Sequence, residues 1–528
     1  MSQQKKQWGA IIVMIALFAM IAFVTNLCSP MATIIKSQGE ISNVLAQIGN
    51  YGNFIAYLIM GIPAGMLISK FGYKKTALIG LVVGIAGILM QWYSGQLDVE
   101  KNLGLVFGVY LAGAFIAGLC MCILNCVVNP MLNILGGGGN KGNQLIQIGG
   151  VFNSSAAVAV YIIMGALIGE ATKAKIADAT PALMIALSIF VVAFIVLLFT
   201  KIKEPERVPV DMSLVKGAFK YRHFVLGILG IFLYMGIEVG VPTYILQYLP
   251  ADTPEVLTEK KGIIEKFNAK EITSGEAALA YLATTEVVNV DSIRAKAIKE
   301  YKESAKVPNE AEEIAAADKA QKEFEKLLKD TEEKIAPTKE GKSPEITTES
   351  ISKTASGYGL DESLVGTIVA VYWLMMLIGR FLGGAIGGKI SSRTMITVVS
   401  LLTIVLVGFG MFATTSMVEI PGIDWAKFEM KWAEVPVGIL AFLLVGLCTS
   451  VMWGGIFNMA VEGLGKYTAV ASGIFMTMVF GCAVMLAIQG WVADVAVDYL
   501  TSYWVVIGCA VYLLFYALIG SKPAKVKE

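Results

Sequence analysis

The sequence predicts an all-α polytopic membrane protein with twelve transmembrane helices in two halves of six, and composition is the first reason. Of the 528 residues, 56% are hydrophobic and only 16% are charged. The second reason is that the apolar residues form runs of about 20, the length that a helix needs to cross about 30 Å of hydrocarbon. The predicted spans lie approximately at residues 8–35, 43–69, 76–93, 103–136, 143–169, 180–200, 221–249, 363–388, 394–413, 435–464, 467–491 and 499–519.

A polar loop that contains proline follows span six and divides the chain. We predict an N-terminal half over residues 1–205, a linker over 206–219 and a C-terminal half over 220–528. Transporters often consist of two such halves that rock about a central site. Residues 251–360 form a charged insert between spans seven and eight, with 22 of the 41 Asp and Glu and 17 of the 42 Lys and Arg.

The insert is predicted to be helical because its Glu and Lys residues alternate at helical spacing and an apolar stripe runs beside them. Three roles remain open at this point. The insert is a solvated spacer, a small helical cap over the entrance, or a module that docks a partner.

Lysine and arginine in the short loops predict the orientation. With the N-terminus in the cytoplasm, 18 of these cations fall in cytoplasmic short loops and 6 in the opposite ones. Both termini are therefore predicted to be cytoplasmic and the insert extracytoplasmic, in a cell membrane that we expect to be a bacterial inner membrane. Lys70, Lys74 and Lys75 follow span two and Arg380 lies near the cytoplasmic end of span eight, so we predict that these four cations gate the cytoplasmic side.

Several residue patterns argue against other classes of protein. The first apolar run has no small-residue cleavage site and is predicted to be a span rather than a signal peptide. Of the closely spaced cysteines only Cys122 and Cys126 share a helical face, which favours buried thiols over a metal site. His223 is the single histidine, and Gly136–Gly142 lacks the Lys-Ser or Lys-Thr pair of a phosphate loop. We therefore predict no enzyme, no nucleotide-driven pump, no cofactor or metal and no nucleic-acid partner.

Polar side chains inside the spans are the candidate substrate-binding residues, since each costs free energy unless it is paired or lines a cavity. In the first half the candidates are Asn26, Gln47, Asn50, Asn53, Asn125, Asn129, Gln147 and Asn153, and in the second half they are Glu238, Trp373, Trp453 and Asn458. Amides donate and accept hydrogen bonds, as hydroxyl-rich ligands require, and aromatic faces suit a pyranose ring. This set predicts a sugar better than an ion or a drug. The alternative for any single amide is that it only joins two helices.

Glu238 is the only carboxylate deep in a predicted span, where a charge costs about 2.5–3.5 kcal/mol. As a coupling residue it could load and release a proton. It could also hold sugar hydroxyls or contribute to a sodium site. The remaining alternative is an ion pair with Arg380 or bonds to backbone donors. The pair is disfavoured by position, because Arg380 is near the cytoplasmic end of span eight and Glu238 lies further out.

Short motifs occur along most of the chain outside the insert. They are Asn26-Leu27, NPMLNILG (129–136), FNSSAA (152–157), YMGIEVG (234–240), YW with GRF (372–381) and the long stretch 463–494, together with the glycine- and cation-containing loops 65–75 and 384–393. Jointly they resemble the fucose–galactose–gluconate:proton symporters of the major facilitator superfamily. The glucose/galactose branch of that family has Glu at the position of Glu238. The resemblance implies the major facilitator fold and uptake of a monosaccharide or small oligosaccharide by alternating access.

The chain departs from that family at four positions. The family has Asp where Ser29 stands, Glu where Asn125 stands and Gln where Gly150 stands, and the superfamily loop has an acid where Ser69 stands. The resemblance ties the first two acids to proton coupling and sugar binding. Coupling to protons, coupling to sodium and facilitated diffusion therefore all remain open.

We predict a monomeric secondary transporter in the lipid bilayer, which imports a sugar together with a cation. A sensor or scaffold that uses the insert is the rival from another class. An exporter is disfavoured, because it would want a more apolar cavity and an acid in span one.

Overall fold

The computed structural model is a bundle of long apolar helices with a smaller helical insert. It describes residues 7–37, 43–97, 103–168, 179–202, 204, 212–284, 294, 297–299, 302, 310–336, 343–360, 362–424 and 429–523. The helices of the first half are α1 (Trp8–Ser37), α2 (Asn43–Phe71), α3 (Tyr73–Ser94), α4 (Leu103–Leu135), α5 (Gly139–Ile168) and α6 (Thr180–Phe199).

The part of the chain after the first half contains the short helix α7, within the predicted linker, and then the second half with its insert. Its helices are α7 (Met212–Ala218), α8 (Arg222–Tyr248), α9 (Pro254–Asn268), α10 (Ser274–Ala283), α11 (Glu310–Ile335), α12 (Thr348–Ser352), α13 (Glu362–Ile386), α14 (Ser392–Phe412), α15 (Val437–Val461), α16 (Thr468–Thr477), α17 (Gly481–Ala496) and α18 (Tyr503–Phe515). A 3-10 turn at Met478–Phe480 joins α16 to α17, so that the two together make one span.

Among the described residues, 11 helices are long and apolar enough to cross a membrane, and they match the predicted spans except the fifth. The fifth span is α5, a helix of 30 residues whose side chains beyond residue 160 lie outside the described set. The predicted fold class, an all-helical membrane protein with two six-span halves, is confirmed.

Burial separates central helices from lipid-facing ones. In the apolar, membrane-spanning stretch of each helix, 72% of the residues of α4 and 78% of those of α15 are buried inside the protein, compared with 28% of those of α6. The helix α6 can remain exposed because its mean hydropathy is 3.1, so hydrocarbon solvates it well. Consequently α4 and α15 lie at the centre, one in each half, and are placed to line a site between the halves.

The insert has a hydrophobic core of its own. Ile264 of α9, Ala277 and Ala278 of α10 and Ile335 of α11 are buried together, apart from the membrane core. A capping box in which Thr273 and Glu276 bond reciprocally begins α10. The two ends of the insert meet in a neck, where the backbone of residues 357–360 bonds to residues 248–252. The structure thus contains a compact helical unit at the end of α8, and its role stays a prediction.

A β-hairpin between α14 and α15 was not foreseen from the sequence. Strand β1 (Met417–Asp424) pairs antiparallel with β2 (Glu429–Pro436), with Met417 opposite Pro436. Trp432 on β2 is 63% exposed. The directions of the helices place the hairpin at the same end of the bundle as the insert neck. Next to the neck, the backbone N–H of Ser356 donates to the carbonyl of Val497 at the end of α17. We call this end the outer side, and the opposite end the inner side.

Candidate substrate and coupling site

The two halves are in direct contact on the inner side through uncharged polar side chains. Asn133 of α4 donates to the Oδ1 of Asn458 on α15 at 2.9 Å, and Asn458 donates to Ser392 at 3.0 Å. Gln144 of α5 donates to the carbonyl of Gly384 on α13 at 2.9 Å. Bonds between neutral groups are screened little by salt, so this contact is closed without relying on surface ion pairs.

A second inner contact brings two backbones together at glycines. A Cβ on Gly473 of α16 would lie 2.4 Å from the carbonyl oxygen of Gly61 on α2, and one on Gly61 would lie 2.1 Å from Thr477 Oγ1. Real Cβ atoms do not approach so closely, so both positions require glycine in this conformation. Small residues at helix crossings permit such close packing in membranes.

Further toward the middle, an amide cluster joins α4 to α15. The indole Nε1 of Trp453 donates to Asn129 Oδ1 at 3.1 Å, which links the two halves. Asn129 donates to Asn125 Oδ1 at 3.2 Å, and Asn125 donates to the hydroxyl of Tyr57 at 2.7 Å. Asn129 is fully buried and Asn125 is 6% exposed. In this conformation the amides satisfy one another, and a ligand with hydroxyl groups would exchange places with some of these bonds.

An aromatic wall stands beside the amide cluster. The ring of Trp453 lies 6.2 Å from that of Tyr234 on α8 and 6.0 Å from that of Phe475 on α16, centroid to centroid. Such tilted and edge-on arrangements are the favoured ones for aromatic pairs. Amide groups next to an indole face are the combination that a pyranose ring needs.

Arg380 of α13 is the charged centre of the site. Its Nη1 donates to the carbonyl of Gly150 at 3.1 Å, to Asn153 Oδ1 at 2.8 Å and to Ser154 Oγ at 2.8 Å, all on α5 of the other half. Its Nη2 lies 3.6 Å from Glu238 Oε1 on α8 of its own half. The two side chains are 10% and 13% exposed. The guanidinium therefore stands between a carboxylate in one half and three oxygen acceptors in the other.

The local backbone explains why α13 packs beside α8 at Glu238. Pro242 stands four residues after Glu238 and has no N–H, so the Glu238 carbonyl loses its helical partner. The hydroxyl of Tyr372 on α13 donates to that carbonyl at 3.0 Å. In the same way Pro130 deprives the Cys126 carbonyl on α4, and Ser472 of the other half donates to it at 3.3 Å. Each proline thus creates a backbone acceptor, and a neighbouring helix fills it.

No protein-family model matches the chain. The chain is 25% identical to the glucose/galactose transporter of Brucella abortus, over 99% of this chain and 96% of that protein. It is 23% identical to the putative glucose/galactose transporter of Helicobacter pylori, over 96% of this chain and 95% of that protein. The L-fucose-proton symporter of Haemophilus influenzae is 25% identical over 46% of this chain and 62% of that protein. The resemblance stated from the motifs is confirmed.

Two kinds of solved structure resemble the chain over most of its length. The fucose:proton symporter of E. coli gives a TM-score of 0.64 at 15% identity, over 97% of this chain and 98% of that chain. The proton:xylose symporter XylE gives 0.52 at 12% identity, over 97% of this chain and 95% of that chain. The chain has the major facilitator fold. The interpretation as a transporter rather than an enzyme agrees with these comparisons.

In this major facilitator fold, the predicted site residues separate by depth. Asn125, Asn129 and Trp453 form one bonded group near the middle, and Asn153, Arg380 and Glu238 form a second. Tyr234 links the two groups, because it lies one turn before Glu238 on α8 and its ring is 6.2 Å from that of Trp453. Their predicted role in binding sugar stays a prediction.

Other predicted binding residues lie elsewhere. Asn458 joins the halves on the inner side. Gln147 also joins the halves, but at the depth of Trp453, because it donates at 3.2 Å to the carbonyl of Val451, two residues before Trp453 on α15. Trp373 packs edge-on against Tyr372, at 5.4 Å between ring centroids. Asn26 donates to the Ala22 carbonyl of its own helix at 2.8 Å.

Three predicted amides remain, all on α2, and only the side chain of Asn53 belongs to the described residues. Asn53 is 4% exposed, and its Oδ1 lies 2.7 Å from where a Cβ on Gly118 would be. The side chains of Gln47 and Asn50 lie outside the described residues.

The predicted gating cations divide between two arrangements. Arg380 crosses between the halves, whereas Lys74 bonds within the first half. Lys74 Nζ donates to the carbonyls of Leu198 and Thr200 at 2.9 and 2.7 Å, and so caps the end of α6. Lys70 and Lys75 are exposed at the inner end of the first half.

The pair of Glu238 with Arg380 was disfavoured from the sequence, yet the structure brings the two together at 3.6 Å. Positions counted along the two helices locate only the Cα atoms of these residues. The long arginine side chain can instead reach away from its own Cα toward the middle of the bundle. Gly150 makes room for it, because a Cβ there would lie 3.1 Å from Arg380 Cδ.

Some residues of the site were not selected from the sequence. Tyr57, Tyr372 and Ser154 count as apolar or small residues in a periodicity argument, although their hydroxyls bond to the predicted residues. A proline four residues after a polar position was the available signal for Tyr372, because it announces an unpaired carbonyl.

Proposed function

We propose that this chain is a secondary active transporter that imports a monosaccharide or small oligosaccharide across a cell membrane by alternating access. The observation that carries the proposal is the charged pair of Arg380 and Glu238 at the junction of the two halves. Tyr234, one turn before Glu238, connects this pair to a cluster of amides and one indole, because its ring lies 6.2 Å from that of Trp453, which donates across the junction to Asn129. A polar centre between two apolar bundles is what a rocking transporter requires.

A sugar is the best substrate class for the donors and acceptors present. Asn125, Asn129 and Trp453 offer neutral groups, which match hydroxyls without imposing a charge on the ligand. The relatives that match nearly the whole chain are named glucose/galactose transporters, and those that match just under half of it are named L-fucose-proton symporters. We extend this substrate class, a neutral hexose or a small oligosaccharide, to the present chain.

A proton is the coupling ion that the site favours, and Glu238 is its carrier. The residue is a carboxylate within the bundle whose partner, Arg380, is shared with the other half. Adding or removing one proton there changes the net charge of the junction. Sodium coupling and facilitated diffusion are the alternative outcomes of the transport experiment.

We assign the inner side to the cytoplasm, from the charge bias of the short loops. On that assignment both termini are cytoplasmic, the insert is extracytoplasmic, and the membrane is a bacterial inner membrane. The closed inner contacts then correspond to a carrier that faces outward. One solved structure of the fucose:proton symporter, with a TM-score of 0.63, is of the outward conformation.

The test is uptake into proteoliposomes that contain the purified 528-residue chain, which we propose is a monomer. Labelled glucose, galactose, fucose and xylose are offered under an inward proton gradient, an inward sodium gradient or no gradient. Accumulation of one sugar above its outside concentration with the proton gradient alone supports the proposal. Equal uptake without any gradient would identify a facilitator, and no uptake of any sugar would reject the transport proposal.

A sensor or scaffold is the second candidate, because the insert has a core and a bonded neck of its own. Deleting residues 255–355 separates the two functions. A transporter retains measurable uptake without the insert, whereas a sensor retains no signal.

A further inference from the structure

We infer that Arg380 is the positioning residue that converts the charge state of Glu238 into opening or closing of the inner side. The inference rests on the proposed transport function. It starts from the unequal distribution of the arginine's partners. Glu238 belongs to the same half as Arg380, whereas Gly150, Asn153 and Ser154 belong to the other half.

The partners on α5 are bonds that must break when the halves part. A guanidinium cannot lose its proton in a protein, so Arg380 needs acceptors in every conformation. An unpaired buried charge is strongly unfavourable. When Arg380 leaves α5, the remaining partner within its own half is the carboxylate of Glu238.

Two states follow for the carrier without sugar. With Glu238 ionised, the carboxylate can keep the guanidinium while α5 moves away, and the inner side is free to open. With Glu238 protonated, that counterion is lost, and Arg380 holds onto the three oxygen atoms of α5. The protonated, empty carrier is then locked closed on the inner side, which prevents a proton leak without sugar.

A bound sugar supplies the missing acceptors. The amide cluster lies beside the same junction, because Trp453 packs 6.2 Å from the ring of Tyr234, one turn before Glu238 on α8. Hydroxyl oxygens of a ligand bound there can accept from Arg380 in place of α5. The loaded, protonated carrier can therefore open. Arg380 thus permits the two transitions that symport needs and forbids the one that would waste the gradient.

The groups that can titrate around Glu238 are few among the described residues. They are Tyr234 on the same helix, Arg380 and Tyr372 on α13 and Cys482 on α17. Phenols, thiols and guanidinium groups ordinarily titrate well above neutral pH. His223 at the inner end of α8, which contacts the Glu462 carbonyl, also titrates ordinarily near neutral pH. A change in conformation between mildly acidic and mildly alkaline buffer is therefore assigned to Glu238 only when Glu238→Gln abolishes it.

The experiment measures the width of the inner side by pulsed electron paramagnetic resonance. Spin labels at Lys141→Cys and Lys389→Cys report on the inner ends of α5 and α13, since both side chains are exposed there and belong to opposite halves. Without sugar, we expect the ratio of long to short distances to rise at least about five-fold from acidic to alkaline buffer, the lower end of typical coupling between sites. Glu238→Gln should remain short at both pH values. Arg380→Met should lose the dependence on pH, and Arg380→Lys should retain part of it.

Two further variants keep the test decisive. Arg380→Met leaves Glu238 without its counterion and can fail to fold, so the double variant Glu238→Gln/Arg380→Met is measured beside it and should also be independent of pH. The matched control is Glu462→Gln, which removes the exposed partner of Arg393 at 3.1 Å within one half and should leave the dependence unchanged.

A pH response that persists in Glu238→Gln or in the double variant would overturn the inference. So would a wild-type distance that ignores pH although the same protein accumulates sugar on a proton gradient. Failure of every sugar in the uptake panel would instead reject the proposed function, so the two failures are distinguishable.

Discussion

Replacing Gly473 by alanine should open the inner side without unfolding the protein. The added Cβ would lie 2.4 Å from the Gly61 carbonyl oxygen and 3.0 Å from the backbone of Gly65. These neighbours are backbone atoms, so no side chain can rotate away. The helices α2 and α16 must therefore move apart. The steric strain exists only in the closed conformation, because the two backbones are in contact only when the inner side is closed.

The size of the effect follows from overpacking, which typically costs about 1–3 kcal/mol. Alanine also favours the helix over glycine by about 0.5–1 kcal/mol, but equally in the open and closed conformations. The ratio of open to closed carriers should therefore rise by about five- to 150-fold, since about 1.4 kcal/mol is a factor of ten. The distance between labels at Lys141 and Lys389 measures this ratio.

The control is Gly408→Ala on α14, where a Cβ would meet nothing within 4 Å. It should gain helix stability and leave the label distances as they are. If Gly473→Ala unfolds at the temperature of the parent protein and shows the same distances, the glycine contact does not hold the inner side closed. Slower uptake with an unchanged distance ratio would refute the reasoning equally.

Three other substitutions test separate parts of the structure. Glu238→Gln should abolish accumulation on a gradient and leave sugar exchange in counterflow, and retained accumulation would remove its coupling role. Ser472→Ala leaves the Cys126 carbonyl unpaired in the closed state only, which costs that state about 1–3 kcal/mol. The label distances should therefore shift toward those of the open state, and unchanged distances would contradict a role for this bond. In the insert, hydrogen bonds from the Thr273 backbone and hydroxyl lower the pKa of Glu276. The capping box therefore stabilises α10 at pH values above the ordinary carboxyl pKa, and this stabilisation is lost as the pH falls through the lowered pKa. The protection factor of amides in the first turn of α10, relative to an unfolded chain at the same pH, should fall on acidification, and Glu276→Gln should remove that pH dependence.

The apolar runs predicted the spans and the two halves because hydrocarbon leaves the chain few alternatives. A segment in lipid must satisfy its backbone internally, and length and composition then identify the helices. The hairpin at 417–436 escaped prediction because that constraint does not apply outside the membrane. Its alternation is interrupted by Pro421 and Gly422, which weaken any strand signal.

Choosing polar residues inside the spans found the amides of the centre, since hydrocarbon makes every such residue costly. Position in the sequence does not identify the hydrogen-bond partners of these residues. Asn129 and Asn458 look equivalent in the sequence, but Asn129 bonds at the central indole and Asn458 at the inner contact. Depth depends on where a helix begins in the bilayer and on how neighbouring helices cross, and one sequence does not contain that geometry.

The arrangement around Arg380 shows how weak local signals combine into one device. Pro242 frees the carbonyl of Glu238, and Tyr372 bonds to it, which fixes α13 beside α8. Gly150 leaves space for the guanidinium stem on the facing helix. A larger residue at position 150 would push Arg380 back toward its own half and weaken the bonds to α5. The absence of one side chain on α5 is therefore as much a part of the proposed coupling site as the two charges.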